Sequence, residues 1–210
     1  HSVGYPAFSY FVFEQVYDAA GIPIEGLYVD RNGDGTVTPA DMYRYKKASP
    51  DATFGFYTGL NAGHFDFSLG ARAMVGNFIY NNNLSSQGIY DYIYTPSGGT
   101  NGGYLNNTHG QTQKLDLNTA QYFSDHYVQD GSFLRVDNIT AGYDFGNIGS
   151  AISSFRLSAT VQNPFIITGY DGIDPEIASR DITTNAVGFG IDNNIYPRSR
   201  TFLLGLNVKF

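Results

Sequence analysis

The sequence predicts an all-β fold, in which antiparallel strands cross a membrane as part of a β-barrel. The 210-residue chain contains 17 Tyr, 16 Phe and 25 Gly residues. This composition favours strands and turns over helices. Several segments alternate apolar and polar residues with the period of two that a strand requires. The connections between these segments alternate between short and long, as they do in a membrane barrel.

The last ten residues carry the clearest alternation. Its apolar members are Phe202, Leu204, Leu206, Val208 and Phe210. A strand from Phe202 to Phe210 contains eight residue steps of about 3.3 Å. When the strand is tilted by about 40°, it extends roughly 20 Å along the membrane normal, which nearly fills an apolar band of about 25 Å. An edge strand of a soluble sandwich shows the same alternation, so this segment alone leaves open whether the apolar face meets lipid or an opposing sheet.

Five further segments are predicted to be strands. Residues 65–74, 138–145 and 155–162 alternate clearly, whereas residues 53–60 and the aromatic run Tyr5–Tyr17 give weaker signals. Six strands are too few to close a barrel, since the smallest membrane barrels have about eight. Unpaired edges in lipid cost several kcal/mol per unsatisfied group. We therefore expect this chain to supply about the last six strands of a larger barrel.

The connections have a consistent asymmetry. Short ones are predicted at about 61–64 and 146–152, and long ones at about 18–52, 76–132 and 164–200. If the C-terminus is periplasmic, all three long loops are extracellular. The loops are rich in Asn, Gly, Tyr and Ser, which is typical of surface segments.

Charge and motifs exclude several function classes. The net charge of −7 is spread along the chain, so no nucleic-acid partner is expected. The sequence contains neither a membrane-helix segment of about 20 apolar residues nor a leader in residues 1–30. The four histidines lack metal-ligand spacing, and Asp171, Asp174 and Glu176 are better interpreted as a solvated loop than as a glycosidase pair. No catalytic constellation is apparent, so we expect no enzyme.

The segment Asp30–Asp41 fits a twelve-residue calcium loop. The candidate ligands are Asp30, Asn32, Asp34, Thr36 through its carbonyl, and Asp41. Gly35 allows the sharp turn between them. The closing position carries Asp where a bidentate Glu is usual, so weak binding is expected, with Ca²⁺ favoured over Mg²⁺. The alternative is a tight turn that its own side chains stabilise.

A second set of residues is a candidate for contact with cargo or with a covering protein. It consists of Tyr90, Tyr92 and Tyr94, with Tyr104 nearby, and the inward-facing Arg72. Aromatic rings can stack on sugars or pack against a protein. The alternatives are self-packing of the loop for the tyrosines and an ion pair between strands for Arg72.

An ordered series of short motifs along nearly the whole chain resembles one family. These include Gly26–Gly35, Gly55-Phe56, Asp130–Val136, Gln162–Phe165, Gly169–Glu176 and Tyr196–Phe202. In this order they resemble the C-terminal region of SusC/RagA-type TonB-dependent transporters of the Bacteroidetes. The sequence lacks the plug, the TonB-interacting segment and the earlier strands of that family.

The resemblance implies a plugged barrel of about 22 strands in the bacterial outer membrane. It further implies a SusD-like lipoprotein as a lid, energy from TonB, and oligosaccharide or peptide cargo. A different reading of the same strands and loops is a secreted, calcium-stabilised β-sandwich that binds carbohydrate. The two differ in whether Phe202, Leu204 and Leu206 face lipid or an opposing sheet.

Overall fold

The computed structural model describes residues 3–96, 103–177, 189–193 and 196–210, and strands dominate these ranges. In chain order the strands are β1 (Ser9–Val12), β2 (Gln15–Tyr17), β3 (Pro23–Tyr28), β4 (Tyr43–Lys47), β5 (Ala52–Ala62), β6 (Phe65–Val75), β7 (Phe78–Asn81), β8 (Tyr94–Thr95), β9 (Tyr104–Leu105), β10 (Val128–Asp130), β11 (Phe133–Ile148), β12 (Ile152–Thr168), β13 (Ile191–Asp192) and β14 (Thr201–Lys209). The helices are short: α1 (Asn82–Gln87), α2 (Thr112–Leu115) and the 3₁₀ turns Pro39–Asp41, Tyr90–Tyr92 and Asp125–Tyr127. Within the described ranges, no helix has the length and apolar character needed to cross a membrane.

The chain forms two compact units. The loop unit consists of His1–Ser49, Asn77–Gly131 and Tyr170–Tyr196. The sheet unit consists of Pro50–Gly76, Ser132–Gly169 and Pro197–Phe210. Each unit is built from three separate stretches, so contacts between residues far apart in sequence hold both of them together.

The sheet unit is one antiparallel sheet of five strands in the order β14–β12–β11–β6–β5. Tight turns join β5 to β6 and β11 to β12, and Gly63 and Gly149 occupy them with φ of +61° and +67°. This left-handed conformation suits glycine because it has no Cβ. In the described chain, β14 and β5 each have one unpaired edge, which is the geometry of a barrel segment whose neighbouring strands lie outside this chain.

A β-bulge interrupts the regular pairing of this sheet. Val136 pairs with Ala71 and Asn138 pairs with Gly70, so Asp137 has no partner in the register. On the other side of β11, Val136 faces Phe165 and Asn138 faces Gln162. An extra residue in one strand shifts its alternation by one position. Along β11, the apolar face therefore changes at the bulge from even-numbered residues, such as Leu134, to odd-numbered residues, such as Ile139.

The sheet has five strands where we expected about six, because the Tyr5–Tyr17 segment does not join it. That segment forms β1 and β2, which pair with β4 and β3 inside the loop unit. Phe8, just before β1, has a φ of +60°. This conformation lies outside the strand region and is unusual for a bulky residue, so the run Tyr5–Tyr17 is not one continuous strand. The expectation of a barrel strand there is wrong.

The loop unit has its own hydrophobic core. Its buried members include Val12, Leu84, Leu117 and Tyr127, all 1–2% exposed. Tyr10 connects distant segments of this core, since its single hydroxyl hydrogen is shared between the carbonyl oxygens of Phe78 (2.7 Å) and Gly190 (2.8 Å). Because buried polar atoms are stable only when they are hydrogen-bonded, these contacts fix the relative position of the segments.

A buried glutamine organises the β2–β3 hairpin. The Gln15 side-chain amide donates to the carbonyls of Ile24 (2.9 Å) and Leu27 (3.1 Å), and its oxygen accepts from the Ser124 hydroxyl (2.8 Å). Gln15 is 4% exposed and Ser124 is fully buried. This network ties the hairpin to residues about 100 positions later in the chain, so the long loops form a packed structure.

Candidate functional site

One face of the five-stranded sheet is apolar from edge to edge. The register aligns Leu60, Phe67, Ala141, Ala159 and Leu204 in one row across all five strands. Directly opposed residues share a face. The rows on either side, which contain Leu69 and Phe65 in β6, are also apolar apart from the Thr58 hydroxyl in β5 and the Tyr143 hydroxyl in β11.

This apolar face has no partner within the sheet unit. Phe202, Leu204 and Leu206 are 73, 85 and 63% exposed, and the described part of the unit contains no second sheet to cover them. A soluble sandwich buries such a face against another sheet, which is not what the sheet unit shows. A continuous apolar surface one sheet wide is what a bilayer requires of a barrel wall.

The opposite face is mainly polar between the short turns and the bulge, with Leu203 of β14 as an apolar exception. One row contains Ser68, Thr140 and Thr160, and the two threonine hydroxyls are 2.8 Å apart. The next row contains Asn138 and Gln162. The alternation read from the sequence therefore corresponds to two chemically distinct faces.

An ion pair joins two strands across the strand between them. Arg156 in β12 donates to both carboxylate oxygens of Asp66 in β6, at 2.9 Å through Nε and 2.6 Å through the guanidinium terminus. Gly142 in β11 lies beneath this contact. A Cβ at Gly142 would approach both charged groups within 3.0 Å, so the absence of a side chain leaves room for the bidentate pair.

Arg72 lies on the same face and contacts a neighbouring strand. Its Nε is 3.1 Å from the Asp137 carboxylate at the bulge of β11. The ion pair between strands that we considered for Arg72 is therefore present. A contact of Arg72 with cargo remains a prediction.

The three candidate tyrosines follow one another in the loop unit. Tyr90 and Tyr92 belong to a 3₁₀ turn and Tyr94 begins β8. Tyr92 packs against the hydrophobic core, whereas Tyr90 and Tyr94 are 36 and 52% exposed. The Tyr94 hydroxyl accepts a hydrogen bond from the Gly103 amide (3.1 Å). Two of the three rings are thus available to a ligand or partner, and their role remains a prediction.

The closing residue of the candidate calcium loop holds the loop together from inside. Asp41 is fully buried, and its carboxylate accepts from the backbone amides of Arg31 (2.9 Å), Asn32 (3.1 Å) and Thr38 (2.8 Å). These hydrogen bonds, with the Thr38 amide foremost, hold the pKa of Asp41 below its usual range because they favour the ionised form. Asp41 therefore acts as an acceptor for backbone donors.

The other carboxylates of this loop also accept donors from the loop itself. Asp30 accepts from the amides of Gly33 and Gly35, both at 2.7 Å. Asp34 accepts from the amide (2.9 Å) and hydroxyl (2.8 Å) of Thr36, and these contacts lower its pKa. Within the described ranges, no three His, Cys, Asp or Glu side chains converge as a metal site would need. The contacts fit the self-stabilised turn, and calcium binding stays a prediction.

Two features of the candidate site could not be recognised from the local sequence. The role of Gly142 follows from its position opposite the Asp66 carboxylate and beside the Arg156 guanidinium, and this position is known only once the strand register is known. The loop unit also contains a cleft of about 240 Å³, lined among others by Lys114, His126 and Asp171. Its walls come from separate segments of the chain, so no motif could have identified it.

Curated relatives of the chain are TonB-dependent receptors. The chain is 42% identical over 220 residues to the TonB-dependent receptor SusC of Bacteroides thetaiotaomicron, covering 100% of this chain and 20% of that protein. It is 31% identical over 191 residues to the TonB-dependent receptor P3 of Formosa agariphila, covering 88% of this chain and 19% of that protein. The chain thus spans about a fifth of the length of the curated relatives it matches. No protein-family model matches it.

Solved structures share the fold. The RagAB peptide transporter superposes with a TM-score of 0.65 at 21% identity, covering 96% of this chain and 23% of that one. The RagAB peptide importer in its open-open state gives a TM-score of 0.66 at 21% identity, covering 100% of this chain and 23% of that one. Together with the apolar and polar faces of the sheet, these similarities show that the chain belongs to the SusC/RagA-type TonB-dependent receptors of the bacterial outer membrane and corresponds to their C-terminal barrel region.

Proposed function

We propose that the chain is the C-terminal barrel portion of an active importer that brings oligosaccharides or peptides across the outer membrane with energy from TonB. The observation that carries this proposal is the 42% identity to the receptor SusC over the whole chain. The remaining strands and the plug belong to the rest of the same receptor. The sheet contributes a wall segment with its apolar face toward lipid and its polar face toward the lumen, and it performs no catalysis.

The loop unit, in this proposal, lies outside the cell and meets cargo or a SusD-like surface lipoprotein. The exposed rings of Tyr90 and Tyr94 support this role, since amphipathic aromatic side chains are enriched where proteins recognise ligands and partners. Replacement of both by Ala should reduce cargo uptake without lowering the amount of receptor in the membrane. Phe56→Ala, at an exposed aromatic residue on the apolar face of the sheet unit, is the matched control.

The importer function is tested by deleting the gene for the complete receptor. Uptake of radiolabelled oligosaccharides and of radiolabelled peptides is then measured in the deletion strain, with and without the restored gene. Loss of uptake of one cargo class, recovered by the gene and abolished again by a protonophore, is the expected result. Unchanged uptake of both classes would contradict the proposal.

A further inference from the structure

The floor of the cleft in the loop unit is apolar. Pro23, Leu84 and Leu115 are buried and line it, together with the partly exposed Ile22. Its volume of about 240 Å³ is below the roughly 300–1,000 Å³ of pockets that take drug-sized ligands. The floor is aliphatic, so it offers branched hydrocarbon side chains a complementary surface but offers a sugar no aromatic face on which to stack.

Both signs of charge lie at the mouth of this cleft. Lys114 and Asp171 are exposed and line it, and neither makes an ion pair with another residue in the described part of the chain. Gln111 and Gln129 add amide donors and acceptors to the walls. A ligand with one positive and one negative group would satisfy both charges together.

The walls are fixed by hydrogen bonds before any ligand arrives. The Asp18 carboxylate accepts from the amides of Ala20 (2.9 Å) and Ile22 (2.8 Å) and so shapes the turn on one side. His109 accepts from the Gln111 amide at Nδ1 (3.2 Å) on the other side. The His109 ring also forms a hydrogen bond with the backbone of Asp171 and lies close enough to the Asp171 carboxylate to interact with its charge. Burial is the larger effect and lowers the pKa of His109, which favours the neutral ring that this acceptor role requires.

His126 completes the cleft as a neutral polar group. Its Nδ1 is 3.1 Å from the Tyr17 hydroxyl, and its ring packs edge-on against Tyr127. Burial lowers the pKa of His126, so the ring adds no second cation at neutral pH. The only cation that lines the cleft is then Lys114, among the residues that the structure describes.

We propose that this cleft binds a small zwitterion with an aliphatic side chain, either a free amino acid such as leucine or a short peptide of the same character. The side chain enters the apolar floor, the carboxylate meets Lys114 and the ammonium meets Asp171. Pre-formed walls reduce the ordering cost of binding. The inference goes beyond the proposed import function and does not depend on it, because binding to purified receptor needs neither TonB nor transport.

Equilibrium dialysis of the complete purified receptor with radiolabelled leucine tests the proposal, with leucyl-leucine, glycine, N-acetyl-leucinamide and glucose as competitors. Saturable leucine binding is expected. Glycine should compete at least about tenfold more weakly because it cannot fill the apolar floor. If unlabelled leucine competes more strongly than leucyl-leucine, the ligand is a free amino acid. The reverse order identifies a short peptide as the ligand.

Charge variants separate the cleft from other sites. Lys114→Gln and Asp171→Asn should each weaken leucine binding about two- to fivefold and leave competition by uncharged N-acetyl-leucinamide unchanged. Lys46→Gln and Asp91→Asn make the same chemical changes at exposed positions outside the cleft and should have no effect. The inference would be overturned if leucine showed no saturable binding, if glycine competed as well as leucine, or if glucose competed more strongly than leucine. The uptake measurement tests the import function separately.

Discussion

Asp66 and Arg156 are joined by two hydrogen bonds that pass over Gly142, so an ion pair spans three neighbouring strands of the sheet. The pair fixes β6 and β12 at the correct lateral distance from β11. Its bidentate geometry is specific to arginine, because the planar guanidinium matches the carboxylate. The polar face of the sheet therefore contains a contact that depends on the absence of one side chain.

Gly142→Ala should weaken the barrel by separating this pair. The added methyl group meets both charged groups closer than side chains normally approach, so at least one must leave its position. The measurement is the temperature at which the complete receptor loses its compact mobility on semi-native gels, and we expect it to fall. Gly55→Ala is the control, since Gly55 lies in β5 with open space around it. Equal effects of both variants would show that Gly142 has no special role.

Leu204→Lys should impair insertion of the receptor, because it places a charge on the lipid-facing surface. A lysine near the bilayer midplane of a barrel costs about 2–4 kcal/mol. Gln162→Lys, on the opposite face in β12, is the matched control and should be tolerated. The free energy of unfolding from lipid vesicles, measured by urea titration, gives the comparison. A cost for Gln162→Lys as large as that for Leu204→Lys would contradict the assignment of the faces.

Asp41→Asn should loosen the loop between Asp30 and Asp41. The amide side chain has one acceptor oxygen, so it cannot replace both carboxylate oxygens that serve three backbone amides. Hydrogen exchange at Arg31, Asn32 and Thr38 should become faster. Asp34→Asn, in the more exposed part of the same loop, should have a smaller effect.

The same loop should show a defined pH dependence. Asp41 has a folded-state pKa below its ordinary 3.8, so its contribution to stability is present above that value. It is lost as the pH falls through the lower, folded-state pKa. The protection factors of the loop amides, which compare measured exchange rates with the intrinsic rates at the same pH, should therefore fall only in that acidic range in the unmodified protein. This acid response should be absent in Asp41→Asn.

Calcium should slow hydrogen exchange in this loop if the sequence motif does bind the ion. Protection at Gly33 and Gly35 is expected to rise in millimolar calcium, the range of weak extracellular sites, and to disappear with chelator. Asp30→Asn removes a candidate ligand charge and should abolish the response. An unchanged exchange pattern in millimolar calcium would leave the loop as a turn stabilised by its own side chains.

The sequence predicted the sheet well where alternation is regular, as in β6, β12 and β14. It predicted β11 only in part, because the extra residue Asp137 reverses the alternation and conceals the strand's first five residues. The aromatic run Tyr5–Tyr17 gave no clear facing and belongs to the loop unit. The Asp66–Arg156 contact depends on the strand register, and the cleft depends on contacts between distant segments of the chain. The periodicity of the sequence carries no information on either.

Spin labelling of the complete receptor in a bilayer tests the central claim most directly. Leu204→Cys and Gln162→Cys each receive a nitroxide, and collision rates with oxygen and with a water-soluble nickel complex are compared. The label at 204 should be accessible to oxygen and shielded from nickel, and the label at 162 should show less oxygen access relative to nickel. Equal access of the nickel complex to both labels would contradict a wall with one face in lipid.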